Sequence, residues 1–558
     1  MHPFSHGVAS FDPTTDGVLL WTRTDPGLGP LTWWVAAAPD DPHAAGDELL
    51  ANVVASGSVD VDPDTDGCVT VAVDGLRAGT THHYWFEVTG RRSPVGRTRT
   101  LPERTEWVRL AFVCCADRSM GPLTAYRAIA EDEVDLVVHL GDYLYEEPKG
   151  PFPVDPPGVV VTLEDYRRRH AHTRLDPDLQ ALHQRHPMVF VWDDHDTADN
   201  SWRHGAKAHD PVQYGPWEER LAAATRARQE WLPCRLSDPA DPYDMHRSVR
   251  FGDLVELVVL DTRIPGRDLQ AGDEGAKPLD DPDRRLIPEA QMAWAEDRLA
   301  DPGATWAVVA SQVPVARLQI PVPAGEVVDA AMPSGYKVVD GNALCTDGWD
   351  GYPVQRGRLA AALDRRQGRA VVVSGDVHSN WASLIYDESG ERVVAADLVT
   401  TAVSSTAMGE QLPSGWRAVA DAAAAHATDR VWSDLVHHGY LRVDVRPEEL
   451  RGDWIAVEPG EMPRQPRVLA SWALRPEVPV VLRPATPSSS LTAFGDVRRP
   501  GLPLSTLPPP AEPASARRSF RARTRRTVLV TIAAAVVVAT ATTAWRRRGR
   551  GRGAPRRG

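Results

Sequence analysis

Five apolar runs in this 558-residue chain each end in polar residues whose side chains could bind a metal ion. Carboxylates gathered at such density would repel one another and raise their own pKa values unless a cation neutralised them. Oxygen ligands joined by one or two imidazoles are a common ligand set for metal ions. The sequence therefore predicts bound metal ions where these clusters meet, and the clusters are Cys114-Cys115-Ala116-Asp117, Gly141-Asp142, Asp193-Asp194-His195-Asp196, Asp261-Thr262-Arg263 and Ser374-Gly375-Asp376-Val377-His378.

The elements that precede the clusters indicate how they would meet. Each cluster follows a continuous apolar run, which is typical of a strand buried on both faces of a sheet, and helical segments lie between the runs. In an open α/β sheet the ligand lies outside the carboxyl ends of the strands. We therefore expect the five clusters to share one crevice. The runs are 108–113, 136–140, 189–192, 257–260 and 370–373.

Changes in composition divide the chain into five regions. Residues 1–105 contain short alternating runs separated by turn residues, which indicate a small antiparallel β-sandwich. Residues 106–480 carry the α/β pattern, and 481–526 read as a linker rich in Pro, Ser and Arg. A stretch without a charge follows at 527–545, and an Arg-rich tail occupies 546–558.

The uncharged stretch 527–545 is long enough to cross the hydrocarbon core of a membrane as a helix. We therefore expect a single C-terminal membrane helix that anchors the chain. The first residues lack a basic and apolar signal segment, and the five cysteines have no disulfide or zinc spacing. Both features favour a cytoplasmic location for the α/β domain; the alternative is export, if an N-terminal signal is missing from this sequence.

The distribution of charge argues against a nucleic-acid partner. The chain has a formal net charge of −14, and its last 42 residues hold 13 Arg and no acidic residue, so the rest of the chain is more acidic still. Nonspecific binding to nucleic acid requires clustered cations. We expect no nucleic-acid partner, and metal cations are the more natural ligands of the acidic body.

Five motifs stand in order along the chain: Gly141-Asp142-Tyr143-Leu144-Tyr145-Glu146, Trp192-Asp193-Asp194-His195-Asp196, Leu260-Asp261-Thr262-Arg263, Asp347-Gly348-Trp349-Asp350-Gly351-Tyr352 and Gly375-Asp376-Val377-His378-Ser379-Asn380-Trp381. Together they resemble the alkaline phosphatase D (PhoD)-like branch of the calcineurin-like metallophosphatases. His6-Gly7-Val8-Ala9-Ser10 and Trp21-Thr22-Arg23 resemble the N-terminal β domain of that family. The resemblance covers about residues 4–460.

This resemblance implies an α/β fold with a four-layer αββα metallophosphatase core. The small β-sandwich would precede the core and the single membrane segment would follow it. The resemblance also implies hydrolysis of phosphate monoesters, diesters or both at a multinuclear site that holds Fe³⁺ and Ca²⁺, with Mn²⁺, Zn²⁺ or Co²⁺ as possible substitutes. The expected partners are a phosphate ester substrate and, through the C-terminal helix, a membrane.

The resemblance further implies a set of metal ligands. Asp142 would bridge metal ions, Tyr145 would bind ferric iron as a phenolate, and Asp194 stands where the wider superfamily has a metal-binding Asn. Asp196 departs from the Glu that is usual at its position. The six implied ligands are Cys115, Asp142, Tyr145, Asp194, Asp376 and His378.

Other positions are candidates for contact with the substrate. His195 is expected to contact the phosphoryl group, and Arg118, which directly follows the first metal-binding turn, is a second catalytic candidate. Asp199-Asn200 stands where the reverse order is commoner, so which of the two is a metal ligand stays open. The expected substrate-binding residues are Asn200, Asn380 and Arg263.

Several of these residues also have ordinary structural explanations. Arg118 and Arg263 suit phosphate because a guanidinium matches it bidentately, yet a salt bridge explains either residue equally well. His139, inside an apolar run, is expected to be a buried and hydrogen-bonded histidine. Four further histidines lack ligand spacing and are expected on the surface, namely His170, His172, His183 and His186.

The chemistry expected of such a site is hydrolysis by water that the cations activate for in-line attack on phosphorus. His195 would stabilise the phosphoryl oxygens or protonate the leaving group. Two alternatives stay open at this point. One is a membrane-tethered enzyme of the same fold that acts mainly on diesters, including phospholipid headgroups, and the other is an inactive, anchored binding protein.

Overall fold

The computed structural model of the chain describes residues 2–38, 50–321, 336–339, 342–411, 421, 424–460 and 465–491. Most of the predicted linker, the predicted membrane segment 527–545 and the Arg-rich tail lie outside these residues. The helices of the described residues are α1 (Thr124–Glu131), α2 (Leu163–Thr173), α3 (Pro177–Arg185), α4 (Pro211–Tyr214), α5 (Trp217–Trp231), α6 (Glu289–Ala300) and α7 (Pro353–Asp364).

The strands are numbered in chain order. The N-terminal strands are β1 (Val8–Phe11), β2 (Val18–Arg23), β3 (Leu31–Ala37), β4 (Val53–Val59), β5 (Cys68–Val73), β6 (Thr81–Val88), β7 (Arg91–Arg92) and β8 (Gly96–Arg99). The central strands are β9 (Val108–Val113), β10 (Leu136–His139), β11 (Met188–Phe190), β12 (Ser201–Trp202), β13 (Gly205–Ala206), β14 (Arg247–Phe251), β15 (Val255–Val259) and β16 (Trp306–Ala310). The remaining strands are β17 (Ile320–Pro321), β18 (Tyr336–Val339), β19 (Asn342–Cys345), β20 (Ala370–Ser374), β21 (Asn380–Tyr386), β22 (Val393–Val399), β23 (Arg430–Asp434), β24 (Gly439–Arg446), β25 (Glu449–Ala456), β26 (Arg467–Leu474) and β27 (Arg483–Pro484).

Two large mixed sheets form the body of the structure. The first has ten strands in the order β27-β26-β25-β24-β9-β10-β11-β1-β2-β5, with β9, β10 and β11 parallel. The second has seven strands in the order β14-β15-β16-β20-β22-β21-β23, with β15, β16, β20 and β22 parallel. Antiparallel strands flank the parallel centre of each sheet, since β24 pairs with β9 and β14 pairs with β15.

Buried apolar side chains hold the two sheets face to face. Successive residues of a strand point to opposite faces of its sheet. In β15, Leu257 joins the apolar cluster that both sheets share, whereas Val258 joins a second cluster that includes Met292 of α6 and Leu359 of α7. Burying one such side chain contributes about 1.5–3 kcal/mol. The layers therefore run from helices through two sheets to helices, with polar strand ends free to form a site.

Two packed sheets form the N-terminal region, and one of them is continuous with the central sheet. Strands β1, β2 and β5 continue the ten-stranded sheet, with Phe11 paired in parallel to Met188 of β11. The other N-terminal strands form a five-stranded sheet that packs on the opposite face of these strands, where Leu20 and Phe86 share one cluster. Strands β1 and β2 are buried on both faces, which is why they can extend the central sheet.

The predicted membrane segment requires correction. Among the residues that the structure describes, no helix combines the length and the apolar character that crossing a membrane needs. The stretch 527–545, on which the expectation depended, lies outside those residues. The fold class with a C-terminal membrane helix, the membrane partner and the localisation as a membrane-anchored chain with a cytoplasmic catalytic domain are therefore not supported.

The attachment of the N-terminal strands can be tested at Trp21. This side chain is fully buried, its Nε1 donates to the carbonyl of Glu230 at 2.8 Å, and the guanidinium of Arg174 lies 4.1 Å from its ring centre. Trp21→Ala should lower the free energy of unfolding by about 3–5 kcal/mol in denaturant titration, because it removes a large buried side chain. The half-exposed Leu28→Ala should change it by less than about 0.5 kcal/mol. Equal effects of the two substitutions would contradict the assigned attachment.

Candidate active site

The polar ends of strands from both sheets meet in one crevice. Cys115 follows β9, Asp142 follows β10, and Asp376 and His378 follow β20. All four residues have left-handed backbone conformations, with φ values of 58°, 55°, 67° and 49°. Such conformations are uncommon for residues other than glycine and concentrate at functional sites, where the surrounding structure holds them. The backbone at these strand ends is therefore bent to direct side chains into the crevice.

One group of donors combines sulfur, oxygen and nitrogen. Ligand atoms of Cys115, Asp142 and His378 lie within 4.8 Å of one another. The hydroxyl of Tyr145 donates to Asp142 Oδ2 at 2.9 Å and lies 3.2 Å from His378 Nε2. The other ring nitrogen of His378, Nδ1, lies 3.0 Å from the carbonyl of Thr406, which fixes the ring with Nε2 toward the group. These four side chains could surround a single metal ion.

Two further groups share members with the first. Asp142, Asp194 and His195 have ligand atoms within 4.8 Å of one another, and so do Asp193, Asp194 and Asp376. Asp142 and Asp194 each belong to two groups. A carboxylate shared between groups can bridge neighbouring metal ions, so the arrangement suits a multinuclear site rather than a single ion.

The electrostatics of the crevice also fit bound cations. Burial raises the pKa of Asp142 and that of Asp376 well above the usual range, and it raises the pKa of Asp193 to about 6. Burial acts in the same direction on Asp194, but the charges of Arg263 and His195 and the N–H of Asn200 together outweigh it, so the pKa of Asp194 falls. Carboxylates in this environment keep their charge most readily when a cation binds them. The thiol, phenol, imidazole and carboxylate donors therefore fit a metal centre.

Arg263 lies within this acidic cluster and is fully buried. Its Nε donates to Asp193, its Nη1 donates to Asp347 Oδ2 at 2.8 Å and its Nη2 donates to Asp376 Oδ1 at 3.4 Å. Nη2 also lies 3.8 Å from Asp194 Oδ1. Each nitrogen of the guanidinium contacts a carboxylate of the protein. The contacts of Arg263 are therefore salt bridges, as the structural explanation of this residue expects.

The remaining predicted substrate residues have different surroundings. Arg118 Nη1 donates to the carbonyl of Gly121 at 3.2 Å, and its Nε lies 3.4 Å from Asp176 Oδ2. Asn380 Nδ2 donates to the carbonyl of His437 at 3.2 Å. Arg118 and Asn380 thus contact structural groups rather than the candidate metal-binding side chains.

Asn200 contacts the site through its backbone. Its N–H donates to Asp194 Oδ2 at 2.5 Å, and its side-chain Nδ2 donates to Asp199 Oδ1 at 2.9 Å. A left-handed φ of 56° makes both contacts possible at once. Asn200 therefore fixes the orientation of a candidate metal ligand and holds Asp199 beside His195, whose Nε2 is 3.9 Å from Asp199 Oδ1.

His195 forms a pair with Glu146, whose role the sequence did not reveal. His195 Nδ1 lies 2.6 Å from Glu146 Oε2, and its ring stacks on Tyr145 with 4.1 Å between ring centres. Burial and the neighbouring Lys149 lower the pKa of His195, but carboxylates led by Glu146 outweigh them and the net shift is upward. Burial raises the pKa of Glu146, yet the charge and hydrogen bond of His195 leave it below its usual value. The pair therefore favours an imidazolium facing a carboxylate.

Asp196 is a buried brace between two of the loops. One oxygen accepts the backbone N–H of Asp142 at 2.8 Å and that of Asp193 at 2.9 Å, and the other accepts the N–H of Tyr143 at 3.0 Å. Gly141 fits beside it because a Cβ there would lie 2.4 Å from the Cβ of Asp193. The sequence marked Asp196 as a departure from the family pattern, but its bracing role depends on contacts between distant loops.

His170, His172, His183 and His186 were predicted to lie on the surface, and this prediction is wrong for three of the four. His170, His183 and His186 are buried, and only His172 is partly exposed. His183 Nε2 lies 2.9 Å from the hydroxyl of Tyr143, next to the candidate ligand Asp142. His170 faces inward because α2 packs on α5, where its ring stacks on Trp231, and His183 faces inward because α3 packs on β1 of the central sheet. His139 is buried and hydrogen-bonded to Tyr126 at 2.8 Å, as expected.

The brace at Asp196 generates a prediction for metal binding. Asp196→Asn replaces one acceptor oxygen with an NH₂ group that opposes the backbone N–H donors. Because the brace holds Asp142 and Asp193, metal affinity should fall by about 10- to 100-fold, as is typical when residues that orient ligands are changed. Equilibrium dialysis followed by elemental analysis measures this change. The exposed Glu274→Gln serves as the control, and unchanged affinity in Asp196→Asn would contradict the role of the brace.

Comparisons with known proteins agree with this geometry. The family model described as PhoD-like phosphatase matches residues 110–454, and the model of its N-terminal domain matches residues 1–102. The chain is 32% identical to alkaline phosphatase D of Bacillus subtilis (strain 168) over 493 residues, which cover 82% of this chain and 79% of that protein. A solved structure of PhoD matches with a TM-score of 0.74 and 30% identity over 89% of this chain and 94% of that chain. The motif resemblance is thus confirmed, and the chain belongs to the PhoD-like phosphatase family of metal-dependent phosphate ester hydrolases.

Proposed function

We propose that this hydrolase cleaves phosphate esters at a cluster of ferric and calcium ions held by Cys115, Asp142, Tyr145, Asp194, Asp376 and His378. The observation that carries the proposal is that the three groups of candidate ligands overlap at Asp142 and Asp194. Ions held there would supply activation of water and polarisation of the phosphoryl oxygens. The protein supplies the rigid loops that fix the distances between the ligands.

The donor types support two kinds of ion. A thiol and a phenol stand beside His378 in the first group, and such donors favour a transition metal such as iron. The group of Asp193, Asp194 and Asp376 offers carboxylate oxygens alone, which suit a hard cation such as Ca²⁺. Mn²⁺, Zn²⁺ or Co²⁺ could substitute at positions that mix imidazole and carboxylate donors.

His195 is placed to handle the proton of the leaving group. Its Nδ1 is engaged by Glu146, so Nε2 is the ring atom that can reach a substrate. An N–H at Nε2 can donate its proton to the ester oxygen as the bond from phosphorus to that oxygen breaks. Glu146 holds the ring and stabilises its positive charge, which is the task of a carboxylate behind a catalytic histidine.

The candidate residues around the ions then divide by their contacts. Asn200 positions Asp194 through its backbone, and its side chain donates to Asp199, whose carboxylate lies 3.9 Å from His195 Nε2. Arg263 neutralises carboxylates of the cluster, and Arg118 and Asn380 hold neighbouring loops. We propose Asn200 as a substrate contact and assign the other three to the support of the site.

The metal assignment predicts different outcomes for two buried carboxylates at strand ends. Asp142→Asn should release bound metal and reduce kcat on an aryl phosphate by more than about 100-fold. Changing a residue that only orients a metal ligand costs up to about that much. Asp261→Asn provides a matched control, since Asp261 is equally buried but accepts hydrogen bonds from Trp192 and Met245. Elemental analysis and turnover are measured on the same preparations. A fully active Asp142→Asn enzyme would refute the assignment.

The role of His195 predicts a dependence on the leaving group. An alkyl phosphate has a basic leaving group that needs a proton, whereas p-nitrophenolate leaves without one. His195→Ala should therefore reduce kcat/KM by about 100- to 10,000-fold on an alkyl phosphate and much less on p-nitrophenyl phosphate. Glu146→Gln should show the same pattern with a smaller loss, because the ring is present but poorly held. Equal losses on the two substrates would exclude His195 as the proton donor.

A further inference from the structure

Lys149 brings a cation to the open side of the active site. The residue is exposed, whereas its ammonium lies 3.3 Å from His195 Nε2 and 5.8 Å from the centre of the Tyr145 ring. Because Nδ1 of His195 is engaged by Glu146, Lys149 meets the histidine at the nitrogen that faces the substrate. The ammonium of Lys149 is thus in contact with both solvent and His195, as expected of a group that binds an incoming ligand.

The other cations near the site already have protein partners. Arg263 contacts carboxylates with each of its three nitrogens, and Arg118 contacts Asp176 and a backbone carbonyl. Lys149 differs, since no carboxylate oxygen of the described residues lies within 4.0 Å of its ammonium. Burial lowers the pKa of Lys149, but the charges of carboxylates led by Asp199 and Glu146 outweigh it and the net shift is upward, so the ammonium is charged without forming an ion pair. It is therefore the cation best able to bind an external anion.

The backbone around Lys149 is fixed to the turn that follows Cys115. The N–H groups of Lys149 and Gly150 donate to Ser119 Oγ at 3.0 and 2.8 Å, and Ser119 Oγ donates to Asp117 Oδ1 at 2.7 Å. A Cβ at Gly150 would lie 2.0 Å from the carbonyl oxygen of Ser119, so the contact requires glycine. The loop that carries Lys149 therefore has a fixed position relative to the candidate metal ligand Cys115.

We propose that Lys149 binds a non-bridging oxygen of the substrate's phosphoryl group and makes the enzyme selective for phosphate monoesters over diesters. The inference rests on the proposed function of the site and names the group that its substrate must carry. A monoester has a second ionisation near pH 6 and is largely dianionic at neutral pH, whereas a diester carries a single negative charge. An additional cation beside His195 stabilises the dianion more than the monoanion.

The test compares two substrates on the same preparations of the metal-loaded enzyme. Lys149→Met keeps the length of the stem and removes the charge, and it should lower kcat/KM for p-nitrophenyl phosphate on the order of 10- to 100-fold, the loss of one charged hydrogen bond. The loss for bis(p-nitrophenyl) phosphate should be under about threefold, since the diester gains less from the cation. Inhibition by inorganic phosphate should weaken by the same factor as monoester hydrolysis. Lys149→Arg should restore most of both.

Controls separate contact with substrate from a structural role. Lys277→Met removes another lysine, one whose ammonium pairs with Asp268 at 2.9 Å, and it should leave the substrate ratio unchanged. Metal content should be the same in all variants. Wild-type monoester kinetics in Lys149→Met, equal losses on both esters, or a matching loss of metal would each overturn the inference. Failure of the wild-type enzyme on both esters would refute the proposed site chemistry as well, whereas a Lys149→Met enzyme that keeps the wild-type preference for the monoester refutes this inference alone.

Discussion

Crowded carboxylates at the ends of buried strands are the constraint on which the rest of this structure depends. Asp142, Asp193 and Asp194 are almost completely buried, and Asp376 joins them from the second sheet. At these separations the repulsion of unscreened charges is large, so the folded state tolerates the arrangement only with positive charge among them. Arg263 supplies one such charge to several carboxylates at once. The overlapping ligand groups are where metal ions would supply the remaining positive charge.

The loops that carry the ligands are held in place through their backbone conformations and backbone N–H groups. Left-handed conformations at Cys115, Asp142 and Asp376 cost conformational energy that only a fixed environment can offset. Asp196 provides part of that environment by accepting N–H groups from two loops, and the missing side chain of Gly141 lets those loops approach. A preformed geometry means that little reorganisation is needed when charge develops on the substrate. Both braced loops follow strands of the ten-stranded sheet, and Arg263 links them to Asp376 of the second sheet.

The sequence predicted the chemistry of the site better than the architecture around it. Apolar runs that end in Asp142, Asp194 and Asp376 are a local signal, and the rule that ligands lie at the carboxyl ends of strands brings them together. The pairing of Phe11 with Met188 joins residues far apart in the chain, and no local pattern distinguishes a strand of a separate sandwich from one that extends the central sheet. The roles of Glu146 and Lys149 were missed for a similar reason, since they depend on contacts between loops.

The choice of cation at each position follows from its surroundings. Arg263 is fully buried, and a planar guanidinium with several donors can meet carboxylates on each side, which an ammonium could not do. At the open side an ammonium on a flexible stem can follow a ligand, and the chain places one of its four lysines there. An acidic protein repels phosphate esters at a distance, so positive charge must be concentrated at the point of entry. Because Arg263 is engaged in holding the carboxylates, the proposed site relies on metal ions, His195 and Lys149 to attract the substrate.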